Sequence, residues 1–209
     1  MKRFFQKLTG SDKAEFITVV SGLPRSGTSM MMKMLEAGGL PPVTDELRAA
    51  DEDNPKGYYE FERVKQMDQG DTDWVIDARG KVIKVISALL KHLPPGEQYR
   101  VVFVRRNMPE ILASQRKMLI RRGEDPDKMD DAQMAMLFEK HLKQIDEWLQ
   151  AQSNFRVLYV HYSEVLADPR PQIAKINDFL GGTLDAAGMA EMVDPDLYRN
   201  RQAGAVEGK

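Results

Sequence analysis

The chain has 209 residues, 42% of them hydrophobic and 30% charged, the balance of a globular protein with a substantial core. A formal net charge of −2 leaves no overall basic footprint, which disfavours nucleic acid as a partner but still allows a few arginines to build a local anion site. The lack of cysteine excludes a disulfide framework, thiol catalysis and cysteine-ligated zinc, and it fits a cytoplasmic protein.

No apolar stretch approaches the ~20 residues of a transmembrane span. The basic start, Met1 to Leu8, lacks the apolar core of a signal peptide. Without internal repeats, low-complexity segments or a visible boundary, the chain reads as one domain over 1–209, with 1–14 a leader and 200–209 a mobile tail.

Phe16-Ile17-Thr18-Val19-Val20 is a β-branched run that suits a buried parallel strand. Beyond Ser21 to Ser29, Met30, Met31, Met34 and Leu35 share one face of a predicted helix that ends at Gly38-Gly39. Strand, glycine-containing turn and helix aim backbone N–H groups and a helix N-terminus at a phosphate. Gly22 and Gly27 keep the Walker A spacing, but Thr28-Ser29 stands where that loop carries Lys followed by Ser or Thr. The nearest cation is Arg25, inside the turn.

Leu40 to Lys56 is a long acidic loop leading through Asn54-Pro55-Lys56-Gly57 to Tyr58-Tyr59-Glu60-Phe61, where a helix begins. After a break at Asp71–Trp74, Lys81–Ile86 reads as a second strand and His92–Gly96 as a loop. Tyr99–Val104 is a third strand, ending in Arg105-Arg106. A helix then starts at Asn107, with Pro109 in its first turn, Glu110 completing a capping box, and Ile111, Leu112, Met118 and Leu119 on its apolar face. Met134, Leu137, Phe138, Leu142, Ile145, Trp148 and Leu149 keep helical spacing and predict a packing helix. Phe155–Val160 is the fourth strand. A helix from Pro169 to Leu180, a short helical stretch near 185–192 and a polar tail with Tyr198, Arg199 and Arg201 complete the chain.

Apolar strands separated by helices predict an α/β fold, a mostly parallel sheet covered on both faces, with ligands beyond the carboxyl ends of the strands. The loop after the first strand, Lys84, Arg106 and the residues after Val160 converge at that edge.

The string Gly22-Leu23-Pro24-Arg25-Ser26-Gly27-Thr28-Ser29 resembles the 5′-phosphosulfate loop of the P-loop sulfotransferases, Pro-Lys/Arg-Ser-Gly-Thr-Thr/Ser, and most closely that of a bacterial branch. Arg106 and Ser114, eight residues apart across a strand end and a helix, are similar to the family's grip on the donor's 3′-phosphate. Asn107-Met108 departs from the Asp-Pro often found there. Val157 to Pro169 and Phe179-Leu180-Gly181 are similar to the family's late strand and the helix after it.

The resemblance implies a three-layer P-loop NTPase-like fold and 3′-phosphoadenosine 5′-phosphosulfate (PAPS) as co-substrate. Its sulfuryl group would pass in line, without a metal, to a hydroxyl or amine of a small-molecule, carbohydrate, lipid or peptide acceptor. Arg25 would face the 5′-phosphosulfate, surrounded by Pro24, Ser26, Gly27, Thr28 and Ser29, with Tyr162 near the adenosine and Arg199 or Arg201 over the 3′-phosphate. The family's Arg-Lys-Gly-x-x-Gly closing loop is not recognisable. Lys84 stands where cytosolic members carry Lys-Thr-His, but Val85-Ile86 follows it, so the histidine base is missing. A carboxylate is the natural substitute, Glu60 first and Asp45 second. His92, His141 and His161 are weaker candidates for the base: His141 falls in the long helix, and the other two have no partner visible in sequence. Two other readings stay open: a nucleotide-dependent phosphotransferase using the same loop, and a non-catalytic nucleotide-binding module.

Overall fold

In the computed structural model, residues 16–45 and 59–193 are described. The expected leader, the tail with Tyr198, Arg199 and Arg201, and much of the acidic loop lie outside them.

The four β-branched and aromatic runs form strands β1 (Ile17–Gly22), β2 (Val82–Lys84), β3 (Tyr99–Arg105) and β4 (Phe155–His161). All pair in parallel, in the order β2-β1-β3-β4. The chain steps to opposite sides of β1 for β2 and β3, so the topological switch point lies between the carboxyl ends of β1 and β3.

Among the described residues six α-helices accompany the strands: α1 (Thr28–Ala37), α2 (Met108–Arg121), α3 (Asp131–Gln150), α4 (Tyr162–Ala167), α5 (Pro169–Leu180) and α6 (Ala186–Glu191). Alternation along the strands divides the apolar residues between two cores. Val20, Val102, Val104 and Val160 pack with Met31, Met32, Met34 and Leu35 of α1, Val165 of α4, Ile173 and Ile176 of α5, and Met189 of α6. On the other face, Ile17, Val19, Ile83, Val101 and Phe103 meet Ile145 and Leu149 of α3. Three 3-10 helices, Glu62–Gln69, Asp73–Ala78 and Ser87–His92, cover the rest of that face through Val64, Trp74 and Leu90. The expected parallel α/β sheet with covered faces is therefore present. No helix among the described residues is long and apolar enough to cross a membrane.

Local expectations change in four places. The helix expected near Tyr59 is the 3-10 helix Glu62–Gln69. The second strand is three residues long, because after Val85 N–H bonds to the Val20 carbonyl the chain turns into Ser87–His92. At α2 no capping box forms. Asn107 makes no side-chain cap, and Glu110 turns instead toward Arg106. Along α3 the apolar stripe buries only its C-terminal part, since Ile145 and Leu149 reach the core while Leu137 is 49% exposed.

Candidate functional site

The turn after β1 is built around two glycines. A Cβ on Gly22 (φ 153°) would stand 2.6 Å from the Val104 carbonyl oxygen and 2.5 Å from Ser26 Oγ. One on Gly27 (φ 102°) would stand 2.4 Å from Cδ2 of Tyr162. Arg25 between them has φ 68°, a left-handed conformation costing about 1–3 kcal/mol for such a residue, sustained only where the surroundings enforce it. They do so from two sides: Arg106 Nη1 donates to the Arg25 carbonyl at 3.1 Å, and Arg25 Nε donates to Ser114 Oγ at 2.8 Å.

Arg106 follows β3 directly. Its Nε donates to Glu110 Oε2 at 2.9 Å one turn along α2, and its guanidinium carbon lies 4.5 Å from the Tyr162 ring centroid. Burial is nearly complete, with the side chains of Arg106 and Glu110 8% and 3% exposed. Arg25, Arg106, Ser114 and Tyr162 thus form one cluster, assembled from the β1 turn, the end of β3, α2 and the start of α4. Ser26 Oγ is buried beside it without a hydrogen-bond partner among the described residues. The N-cap of α1 is Gly27, which offers no capping side chain, so the first-turn N–H groups and the positive end of the helix dipole face the turn.

A second group gathers at the end of β2. Lys84 Nζ stands 3.9 Å from Glu60 Oε1, and Lys65 Nζ stands 3.5 Å from Glu60 Oε2. The Glu60 carbonyl accepts from Thr44 Oγ1 at 3.0 Å. Asp45 Oδ2 accepts the Glu62 N–H at 2.6 Å, which ties this carboxylate to the first turn of Glu62–Gln69. Lys65 Nζ also donates to Glu62 Oε2 at 2.8 Å, and this bond holds the Lys65 ammonium above the usual lysine range, with Glu60 adding to the effect and burial opposing it.

A third group joins β3, β4 and α3. Arg105 Nη2 donates to both Asp146 oxygens, at 2.6 and 2.5 Å, and Tyr159 Oη donates to Asp146 Oδ1 at 3.0 Å. Nearby, His141 Nε2 lies 2.8 Å from Ser87 Oγ. Burial pushes the His141 imidazole below its ordinary pKa, and the Lys91 charge adds to the shift.

Sequence reasoning missed the Arg106–Glu110 pair, although its i,i+4 spacing on α2 was a visible signal. Nothing in the sequence pointed to Ser87 or to its pairing with His141, 54 residues away. Arg199 and Arg201 lie outside the described residues.

The family model described as "Sulfotransferase domain" matches residues 17–202. The chain belongs to the sulfotransferase family. Membership makes it a transferase enzyme. Among solved structures, this sulfotransferase is similar to the sulfotransferase domain from the curacin biosynthetic pathway, at a TM-score of 0.55 and 16% identity, over 88% of this chain and 80% of that one. It is also similar to the sulfotransferase domain of the Synechococcus PCC 7002 olefin synthase, at a TM-score of 0.52 and 16% identity, over 94% and 90% of the two chains. Mouse sulfotransferase SULT7A1 complexed with PAP matches at a TM-score of 0.54 and 21% identity, over 86% of this chain and 63% of that one. At such identities the structural likeness speaks for the fold. No curated protein sequence matches the chain.

Proposed function

We propose that this sulfotransferase transfers a sulfuryl group from PAPS to a hydroxyl or amine, and that the Arg25–Arg106–Ser114 cluster holds the donor. The observation that carries the reading is the union of both expected grips. Arg106 bonds the backbone of Arg25, and the Arg25 side chain bonds Ser114, so one doubly phosphorylated nucleotide can span them. The residues present fit such a donor. Ser26 Oγ is a buried hydroxyl without a partner among the described residues, the N-cap of α1 is a glycine with no capping side chain, and Gly22 and Gly27 let the turn pack where a Cβ would strike Val104 and Tyr162.

In this reading Arg25 takes the 5′-phosphosulfate side and stabilises charge on the leaving group. Ser26, Gly27, Thr28 and Ser29 supply backbone and hydroxyl donors, and Pro24 shapes the turn. Arg106 and Ser114 take the 3′-phosphate, exchanging some of their present bonds for charge-assisted ones. Tyr162, packed on Gly27 and under the Arg106 guanidinium, backs the nucleotide side. Lys84, held by Glu60, supplies positive charge toward the sulfuryl group. SULT7A1 with its bound PAP supports the choice of donor.

Calorimetric titration with PAP, the desulfonated donor, tests the reading. Wild-type protein binds PAP without Mg²⁺. Arg106→Ala weakens binding about 10²-fold, the loss expected when a hydrogen bond to a charged group worth about 1.5–3 kcal/mol is removed. Binding of ATP only with Mg²⁺, and none of PAP, refutes the sulfotransferase donor and favours a phosphotransferase.

A further inference from the structure

Sulfuryl transfer to a hydroxyl must dispose of a proton, and both carboxylates expected to take it are otherwise engaged. Glu60 faces two ammonium groups, Lys65 at 3.5 Å and Lys84 at 3.9 Å. Asp45 accepts a backbone N–H at 2.6 Å.

Across the strand ends stands an imidazole. Ser87 is 1% exposed and opens the turn three residues beyond Lys84. Because Val85 N–H bonds the Val20 carbonyl, this turn begins level with the end of β1. α3 arrives from the other direction. Leu149 and Ile145 lie in the core against Val19 and Val101, Asp146 holds Arg105 at the end of β3, and His141, more than a turn nearer the helix N-terminus, meets Ser87. The ring therefore sits at the carboxyl edge of the sheet, on the opposite face from α1. That places it between the ends of β2 and β3, with β1 and its turn between them.

We propose that His141 is the general base for the acceptor hydroxyl and that Ser87 is its positioning residue. The inference rests on the donor reading above. His141 Nε2–H donates to Ser87 Oγ, leaving the Nδ1 lone pair for the acceptor's proton. As the acceptor oxygen bonds to sulfur, the bond from sulfur to the bridging phosphosulfate oxygen breaks. Its electron pair leaves with the 5′-phosphate, and the proton goes to Nδ1. A base must be unprotonated at working pH. Burial, and the Lys91 charge on the Ser87 turn, both favour the neutral ring. On the same helix the Asp146 carboxylate is satisfied by Arg105 and Tyr159, while Glu139 and Lys140 beside the histidine are exposed.

The test compares two acceptors with PAPS as donor: cyclohexanol, which must lose a proton, and 4-nitrophenol at a pH where it is already ionised. His141→Gln lowers kcat for cyclohexanol by about 10²-fold or more, the usual range for a general base, and removes the acid limb of its pH profile. The same variant changes phenolate turnover and PAP affinity by less than about 3-fold, and Ser87→Ala shifts the acid limb. Nitrogen-15 spectra of the wild-type protein show the His141 proton on Nε2. Wild-type cyclohexanol turnover in His141→Gln overturns the proposal, as does an equal loss on both acceptors or a proton on Nδ1. Calorimetry with PAP separates the two levels. No PAP binding by the wild-type protein refutes the donor and this base together, whereas intact binding with an unaffected His141→Gln refutes the base alone.

Discussion

Gly27→Ala tests whether the β1 turn and Tyr162 are mechanically one unit. The new Cβ would stand 2.4 and 2.7 Å from Cδ2 and Cε2 of the Tyr162 ring, at a backbone φ of 102°. Left-handed backbone costs a non-glycine residue about 1–2 kcal/mol. Driving an aromatic ring aside in a packed interior costs about 1–3 kcal/mol more. The sum, about 2–5 kcal/mol, is a large share of a typical domain stability of about 5–15 kcal/mol. Urea unfolding of Gly27→Ala, Tyr162→Ala and the double variant separates the two parts. With the ring removed, Gly27→Ala costs only the backbone part, so the pair couples by about 1–3 kcal/mol. Equal cost of Gly27→Ala in both backgrounds, or a cost below about 0.5 kcal/mol in the wild type, would refute the steric argument.

Arg25→Gly relieves the φ of 68° that Arg25→Ala retains, so the glycine variant unfolds at higher urea, by about 1–2 kcal/mol. Both variants lose about 10²–10³ in turnover if this guanidinium stabilises the leaving group, and equal stability or retained turnover contradicts the assignment. Ile145→Ala, in the core, costs about 2–4 kcal/mol, whereas exposed Leu137→Ala stays within about 0.5 kcal/mol in the same assay. Stability also carries a pH signature from His141, whose folded pKa lies below its ordinary value of 6.5. The unfolded chain then binds the proton first, so stability falls as pH drops from about 6.5 toward the folded pKa and levels off below it. His141→Gln flattens that part of the curve, and an unchanged slope rules out the histidine as its source.

The sequence revealed most where one residue type had one role. β1 and β3 were legible because strands buried on both faces need continuous apolar runs, and the methionines of α1 because one stripe meets one core. Elsewhere competition decided. Asn107 and Glu110 had the spacing of a capping box, but Arg106 captures the carboxylate with a charge-assisted bond. Leu137 has the right helical phase, yet periodicity identifies a face without saying how far the supporting sheet extends beneath it. The turn at Glu62–Gln69 draws a cap from Asp45, 17 residues earlier, across a separation no local pattern encodes. At the candidate site the turn residues, Lys84 and Arg106 could be located from strand ends alone. The contact of Arg106 with the Arg25 carbonyl and that of Ser87 with His141 depend on how α2 and α3 cross the sheet, which only the folded chain specifies.

The sheet is clad unequally. α1, α4, α5 and α6 seal one side, whereas α3 shares the other with three short 3-10 segments whose bonds are poorer and whose runs are brief. Amides in 62–78 will therefore exchange with solvent through local opening, while those in the middle of β1 and β3 wait for global unfolding. In the proposed reading, the wall beside Lys84 is thus the compliant side of the sheet, free to reshape around acceptors of different outline while the turn that would seat the nucleotide keeps its form.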